Sequence, residues 1–468
     1  MSDSKALRSG LGYTIGNVLI KGINFLTLPI FSRLLSSEEF GVYNVFASYD
    51  LILFVIVGLA LHTSIQSANL EFRGKINSYT SSISLIYILN GLLLLGIVVL
   101  FRQQLSRLMD LPPAAITLLV LGSFSSAVIT LYNIRISLEY SYKKYLLVSA
   151  CSSFSNIALS LVLILTVFSE NRAMGRIVGS VVPAFLISIF LLISFARKEK
   201  IRFSKAYWRF GIRYSLPIVP NGIAQVLLNQ CDRIMIRSIV SDAAAGIYSL
   251  AGNIKLVLVI INDSVTTAWN TWFFSQMDQG NQKAIQKRSS QLMVLFFILT
   301  TGLMALSPEL VWLLGGPEYA QSRYVAIPIV LDGFALFLYN LIVPAQYYTK
   351  KTTYIMTGTI IAAIVNIVLN YIFIHRYGFI AAAYTTLAAY GLFAALHYII
   401  SRKLIHFFVV PLGRMVSICG AVALMAAWNL LFIDNIFLRW GMCAVAVIPT
   451  GFLLLRAMQK DKKKNEDA

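Results

Sequence analysis

About fourteen apolar stretches, each close to 20 residues, follow one another along this 468-residue chain with little between them. Clear examples are 83–100, 146–168, 177–195, 292–306 and 355–374. A helix needs roughly 20 apolar residues to cross the ~30 Å hydrocarbon core of a bilayer. Only helices and closed barrels satisfy their backbone groups in lipid. The pattern therefore predicts an all-α integral membrane protein. Its spans fall near 11–31, 41–64, 80–101, 114–134, 145–168, 174–195, 212–234, 244–268, 291–314, 324–345, 355–374, 378–400, 411–433 and 437–456. Connections this short leave no room for a soluble catalytic domain, so the chain does not read as an enzyme.

Only 13% of the residues are charged, against about 25% in soluble domains. The net charge of +19 would suggest nucleic acid in a soluble protein, but its distribution argues otherwise. Most of the 39 Lys and Arg lie in alternate connections, with runs at Arg197-Lys198-Glu199-Lys200 and in the C-terminal tail. Lys and Arg are retained on the cytoplasmic side. Both termini are thus expected in the cytoplasm, with the chain multi-pass in its membrane. The first apolar run is full-length and contains Lys21, which reads as a span and not a cleaved signal. Cys151, Cys231, Cys419 and Cys443 all lie inside spans without a motif, and the four histidines show no ligand spacing. No P-loop pattern is present. No metal or cofactor is expected.

The second half echoes the first. Ser36, Gly41, Val42 and Tyr43 recur 205 residues later as Ser241, Gly246, Ile247 and Tyr248, and Asn24 maps onto Asn229. Lys143-Lys144, flanked by tyrosines, recurs 207 residues on as Lys350-Lys351. Six spans separate the copies, so both have the same orientation. That predicts two six-helix bundles, 1–195 and 212–400, related by a pseudo-two-fold axis along the membrane normal, with a site at their interface near the midplane. Residues 196–211 read as a cytoplasmic linker in which Tyr207-Trp208-Arg209-Phe210 forms a short interfacial helix. Residues 401–468 supply two additional helices and a basic tail.

Ionisable groups inside spans are costly and usually face a bundle interior or a water-filled cavity. Span 1 carries Asn17, Lys21 and Asn24 on one face, and span 7 carries Asn221, Gln225, Asn229 and Arg233 at steps of four, with Asp232 beside the arginine. Dry helix–helix hydrogen bonding is the alternative reading of these stripes. Tyr43, Ala47, Asp50 and Phe54 share a face in span 2; Lys255 stands in span 8 at the position equivalent to Asp50, with Asp263 further along. If both line a central cavity, Asp50 is expected to partner Lys21 or Lys255 until a substrate anion displaces it. A fixed structural ion pair is the alternative. Pro29, Pro217 and Pro220 are expected to bend spans 1 and 7. Arg176, Asp332, Asn366, Asn370 and the Ser123-Ser126-Thr130-Asn133 stripe read as packing contacts.

The segment from Phe31 to Tyr43, with its Gly41-Val42-Tyr43, resembles the opening of polysaccharide flippases. Leu216-Pro217, Asn229-Gln230-Cys231-Asp232-Arg233 and Gly246-Ile247-Tyr248 resemble their seventh span and the start of the eighth. The chain is similar to Wzx-type O-antigen repeat-unit flippases of the multidrug/oligosaccharidyl-lipid/polysaccharide exporter superfamily. The resemblance implies translocation of an undecaprenyl-diphosphate-linked oligosaccharide from the cytoplasmic to the periplasmic leaflet by alternating access. It implies a cation-lined lumen in which Lys21, Arg233 and Lys255 meet the diphosphate and Asn17, Asn24, Asn221, Gln225 and Asn229 meet sugar. Asp50, Asp232 and Asp263 become candidates for gating or for coupling to a proton or sodium ion. The implied partners are the lipid-linked glycan, membrane lipid, and a polysaccharide polymerase with its chain-length regulator. A cation-coupled drug exporter of the same superfamily and a membrane glycan polymerase or ligase are the competing readings.

Overall fold

The structure is a computed structural model describing the backbone over residues 3–466, and side chains from Gly12 to Gln459 apart from Thr14, Ile15, Asn17 and Met458. Every regular element among the described residues is helical. Fourteen long helices correspond one for one with the apolar stretches: α1 (Asp3–Leu34), α2 (Ser37–Gly58), α3 (Ile76–Leu100), α4 (Pro113–Ser137), α5 (Tyr142–Leu165), α6 (Arg172–Lys198), α7 (Val219–Ile239), α8 (Asp242–Ile254 continuing as Leu256–Asp278), α9 (Gln282–Gly315), α10 (Ser322–Ile342), α11 (Thr353–Tyr377), α12 (Phe379–Ile405), α13 (Leu412–Leu431) and α14 (Ile436–Glu466). Twelve of them are long and apolar enough to cross a membrane; α1 and α7 do not meet that measure over the described residues. These two carry the polar stripes.

Local chemistry sets the helix ends. Ser36 caps α2 through a reciprocal box, its hydroxyl accepting from Glu39 N at 3.2 Å while Ser36 N donates to Glu39 Oε2 at 3.1 Å. Asn171 caps α6 by accepting from Met174 N. Gly378, at φ +70°, makes the turn from α11 to α12. Pro217 and Pro220 do not bend a span as expected. Pro217 lies in a short 3-10 turn (Leu216–Ile218), and Pro220 sits in the first turn of α7. Proline is tolerated there because the first turn's N–H groups have no intrahelical acceptor. The expected start of span 7 at 212 therefore moves to 219.

The chain divides into two compact units, Met1–Gly246 and Ile247–Ala468. The boundary expected at 196–211 rests on the sequence repeat alone. Compactness divides the chain later, after Gly246, because α7 packs along α2.

The first unit has a core under α3 and α4 built on Leu61, Ile65, Tyr79, Ile83, Tyr87 and Leu131. The linker does contain a helix, Lys205–Ser215. Its Tyr207 and Phe210 rings lie edge-on to Phe72 at 4.9 and 5.2 Å, and Trp208 Nε1 donates to Ser82 O at 3.0 Å. The aromatic residues of the linker thus seal this core. In the same unit the repeat becomes a contact. A Cβ on Gly41 would stand 1.9 Å from Asp242 O, and one on Gly246 would stand 2.0 Å from Ser37 O. Each glycine meets the carbonyl one helical turn before the other, so the two copies of the motif touch backbone to backbone.

The second unit is built around α9 and α10, where the Phe296 and Phe337 rings stack with centroids 3.7 Å apart. Polar side chains tie its helices together. Arg439 of α14, 3% exposed, donates to both oxygens of Glu309 on α9 at 2.6 and 3.1 Å and to Ala305 O. Gln346 lies 2.8 Å from His397 Nδ1 and donates to Ser401 Oγ at 3.1 Å. Asn366 donates to Thr386 at 2.9 Å and Thr385 to Asn370. Asn366 and Asn370 are thus packing contacts, as the sequence suggests.

Candidate functional site

Three of the expected polar residues converge. Asn221, Gln225 and Asn229 recur every fourth residue along α7, which keeps them on one face. With Leu51, Phe54 and Val55 of α2 they line a pocket of about 460 Å³, to which His62 and Thr63 also contribute. Gln225 and Asn229 are exposed and Asn221 half-buried. Asn229 Nδ2 donates to Gln225 O at 2.7 Å, while Asn221 Oδ1 is buried without a hydrogen-bond partner among the described residues. The pocket is apolar on its α2 wall and amide-lined on its α7 wall. Amides offer both donors and acceptors, which suits hydroxyl-rich ligands.

At the pocket's edge Gln230 joins the two helices. Its Oε1 accepts from Ser48 Oγ at 3.2 Å and from Arg233 Nη1 at 2.7 Å. The half-buried Arg233 guanidinium is held by this amide, and not at the end of a freely moving side chain. Its neighbour Asp232 is buried, at 3% exposure. That places consecutive residues of α7 on different faces.

Asp50 occupies a separate cavity of about 360 Å³ in the same unit, with Tyr43, Gly122, Ser126, Thr130 and Asn156 among its walls. Ser123 donates to Asp50 Oδ1 at 2.8 Å. Among the described residues of its own unit no cation lies within ion-pair distance of this carboxylate. Within the first unit the expected pairing of Asp50 with Lys21 is therefore absent, because α2 turns Asp50 toward α4, where a hydroxyl meets it. Phe54 does not share the cavity with Tyr43, Ala47 and Asp50; it lines the α7 pocket. Next to this cavity lies a cation that the sequence reading set aside. The Arg176 guanidinium is 3.8 Å from the Phe31 ring and 4.7 Å from the Tyr43 ring, and it donates to Asn156 Oδ1 and to Ser160 Oγ at 2.7 Å. The Ser123, Ser126 and Thr130 stripe also belongs here. An arginine near the start of α6, 20 and 16 residues from its α5 partners Asn156 and Ser160 and far from Phe31 and Tyr43 in sequence, carries no signal of its ring partners.

The other expected residues are dispersed. Lys21 and Asn24 of α1 are exposed, and Asn17's side chain lies outside the described residues. In the second unit Lys255 stands at the break in α8, half-buried, with its amine 5.6 Å from the Tyr390 ring and its Cγ against Gly333. Asp263 is exposed.

This fold is that of helical membrane transporters. The structure is similar to the lipid II flippase MurJ in an inward closed conformation, with TM-score 0.76, 16% identity, and coverage of 96% of this chain and 99% of that one. It is also similar to the inward-facing conformation of a multidrug resistance MATE family transporter of the MOP superfamily, with TM-score 0.58, 14% identity, and coverage of 87% and 95%. The family model described as polysaccharide biosynthesis protein matches residues 6–277. The chain belongs to that family and is a multi-pass membrane protein. Among its relatives, Lsg locus putative protein 1 of Haemophilus influenzae is 23% identical over 384 residues, 77% of this chain and 89% of the relative. The probable low-salt glycan biosynthesis flippase Agl15 of Haloferax volcanii is 19% identical over 394 residues, 83% of this chain and 82% of the relative.

Proposed function

We propose that the chain is a flippase for a lipid-linked glycan, carrying an undecaprenyl-diphosphate-linked O-antigen or related repeat unit from the cytoplasmic to the periplasmic leaflet of the inner membrane by alternating access. The observation that carries this reading is the pocket with one amide wall and one apolar wall on α7 and α2, in a chain of the polysaccharide biosynthesis family. Asn221, Gln225 and Asn229 exchange hydrogen bonds with sugar hydroxyls, and the apolar α2 wall, with its Phe54 ring, covers the apolar faces of the sugar rings. Arg233, Lys21 and Lys255 attract the diphosphate, which cannot cross hydrocarbon unaided. Names given to relatives, a glycan biosynthesis flippase and a lipid II flippase, support the same substrate class. Transport is the role, and no bond is made or broken. Both termini face the cytoplasm in this reading. Polymerase and chain-length regulator act on the glycan once it has crossed.

A cation-coupled exporter is the second reading. What favours it is Asp50, the one carboxylate among the hydroxyl, amide and apolar side chains that line its cavity. Within the flippase reading the same group is the candidate for carrying a coupling proton or sodium ion, with Asp232 and Asp263 as the other acidic candidates.

The test is restoration of surface polysaccharide in cells lacking their O-antigen flippase. Wild type, Lys21→Ala, Arg233→Ala and Lys255→Ala are compared at matched membrane abundance. Restoration by wild type and loss in the cation variants is expected. Full activity in all three variants would remove the diphosphate site.

A further inference from the structure

Outside these cavities, a pocket of the second unit lies where α12 ends. It measures about 620 Å³, with Ala395, Ile399 and Leu412 as its apolar wall and Arg402, Lys403 and His406 at its rim. Ile399 and Leu412 are each 52% exposed. No acidic residue occurs between Phe379 and Ile433, and among the described residues neither Arg402 nor Lys403 has a carboxylate partner.

The pocket is built and held, not a loose surface. The Arg402 guanidinium lies 4.3 Å from the Phe408 ring, which stacks on Tyr398 at 4.9 Å. The turn that forms the floor is fastened at three successive carbonyls. Gln286 donates to Phe408 O at 3.1 Å, Ser289 to Val409 O at 2.7 Å, and Tyr398 to Val410 O at 2.8 Å. His406 closes α12 in the left-handed region at φ +61°, its N–H returning to Arg402 O at 2.9 Å. The apolar wall runs on along α12, while the cations mark its end.

An apolar groove that ends in unpaired cations, at the end of a spanning helix, fits an amphiphile with an anionic head. We propose that this pocket binds an anionic phospholipid, its phosphate on Arg402 and Lys403 and an acyl chain along Ile399 and Leu412. Basic pockets between spanning helices on the cytoplasmic side recognise such lipids. The Lys and Arg asymmetry of the sequence assigns this turn to that side. The site is separate from the α7 pocket and from the proposed diphosphate cations, and it requires only that the chain span a membrane.

The experiment titrates the detergent-solubilised full chain with dioctanoyl-phosphatidylglycerol, and in parallel arms with dioctanoyl-phosphatidylcholine and with inorganic phosphate, reading thermal stabilisation. Saturable stabilisation by phosphatidylglycerol alone is expected. A cation near a lipid phosphate is worth about 1 kcal/mol, so Lys403→Gln weakens the midpoint about fivefold. Arg402→Gln/Lys403→Gln weakens it further. Lys403 is exposed and its side chain has no ion pair or hydrogen bond among the described residues, so that variant stands alone if the double variant does not fold. Equal stabilisation by phosphatidylcholine, or an unchanged midpoint in Lys403→Gln, overturns the proposal. Equal stabilisation by inorganic phosphate assigns the pocket to a free anion and overturns the lipid.

Discussion

Replacing Gly41 by alanine tests the closest backbone approach in the first unit. Intrinsic helix propensity alone would make the change favourable by about 1 kcal/mol, since glycine is the poorer helix former. The structure predicts the opposite sign. The new Cβ would sit 1.9 Å from Asp242 O, where ordinary contact begins at 3.4 Å, so the start of α8 must withdraw by about 1.5 Å. The obstacle is backbone and cannot rotate aside, which places the overpacking cost toward the upper part of the usual 1–3 kcal/mol. After the propensity gain, a net loss of about 1–2 kcal/mol remains. Gly246→Ala meets Ser37 O at 2.0 Å and should cost the same. Both clashes open along one displacement, so the double variant should lose less than the sum of the singles. Denaturation of the purified chain in mild detergent, followed by circular dichroism, measures all three. A Gly41→Ala protein as stable as wild type, or more stable, would refute the backbone contact and reduce the repeated glycine to a helix-propensity effect.

Other outcomes follow from the same geometry. Glu309→Ala leaves the buried Arg439 guanidinium with only Ala305 O and should cost about 3 kcal/mol, whereas Glu309→Leu/Arg439→Met should recover most of that loss; thermal unfolding in detergent reads both. Gln346→Leu strips the partner from His397 Nδ1 and from Ser401 Oγ at a buried site, a loss of about 1–3 kcal/mol in the same assay. Gln225→Ala and Asn229→Ala should leave stability nearly unchanged because both side chains are exposed, yet each should lower glycan transport several-fold, as expected for one lost hydrogen bond of about 1 kcal/mol. A parallel loss of stability and transport would make these amides structural.

Much of the helical layout is legible in the sequence, because a spanning helix must be apolar over its whole length. The repeat is legible for a different reason. Gly41 and Gly246 tolerate no side chain, and they emerge as one contact. The α7 amides are legible because a step of four holds a face over eight residues, and they line one pocket. Pairings between distant helices are not written in any period. Nothing near Asp50 announces Ser123, 73 residues away, and nothing near Arg176 announces the rings of Phe31 and Tyr43. Phe54 shows why a nominal face misleads. Helix α2 is flanked by α4 on one side and α7 on the other, so residues a few turns apart on one stripe line two cavities. Pro217 and Pro220 were legible as breaks, but whether a proline kinks a helix or starts one depends on where the preceding turn ends.

The polarity of α7 also constrains how the protein is made. Asp232, Arg233 and Arg237 fall in its C-terminal half, and each charged residue near a helix centre adds about 2.5–3.5 kcal/mol to the cost of partitioning from the translocon into lipid. Over the described residues this helix is less apolar than the twelve that are long and apolar enough to cross a membrane. Its polar side finds a partner in α2, through Gln230 and Ser48, and α2 is synthesised earlier. Insertion of α7 is thus a docking event onto a segment already in place. The orientation of every later helix depends on that event, so damage to the polar face of α2 or α7 would surface as inverted topology and degradation during biosynthesis, before any transport could be measured.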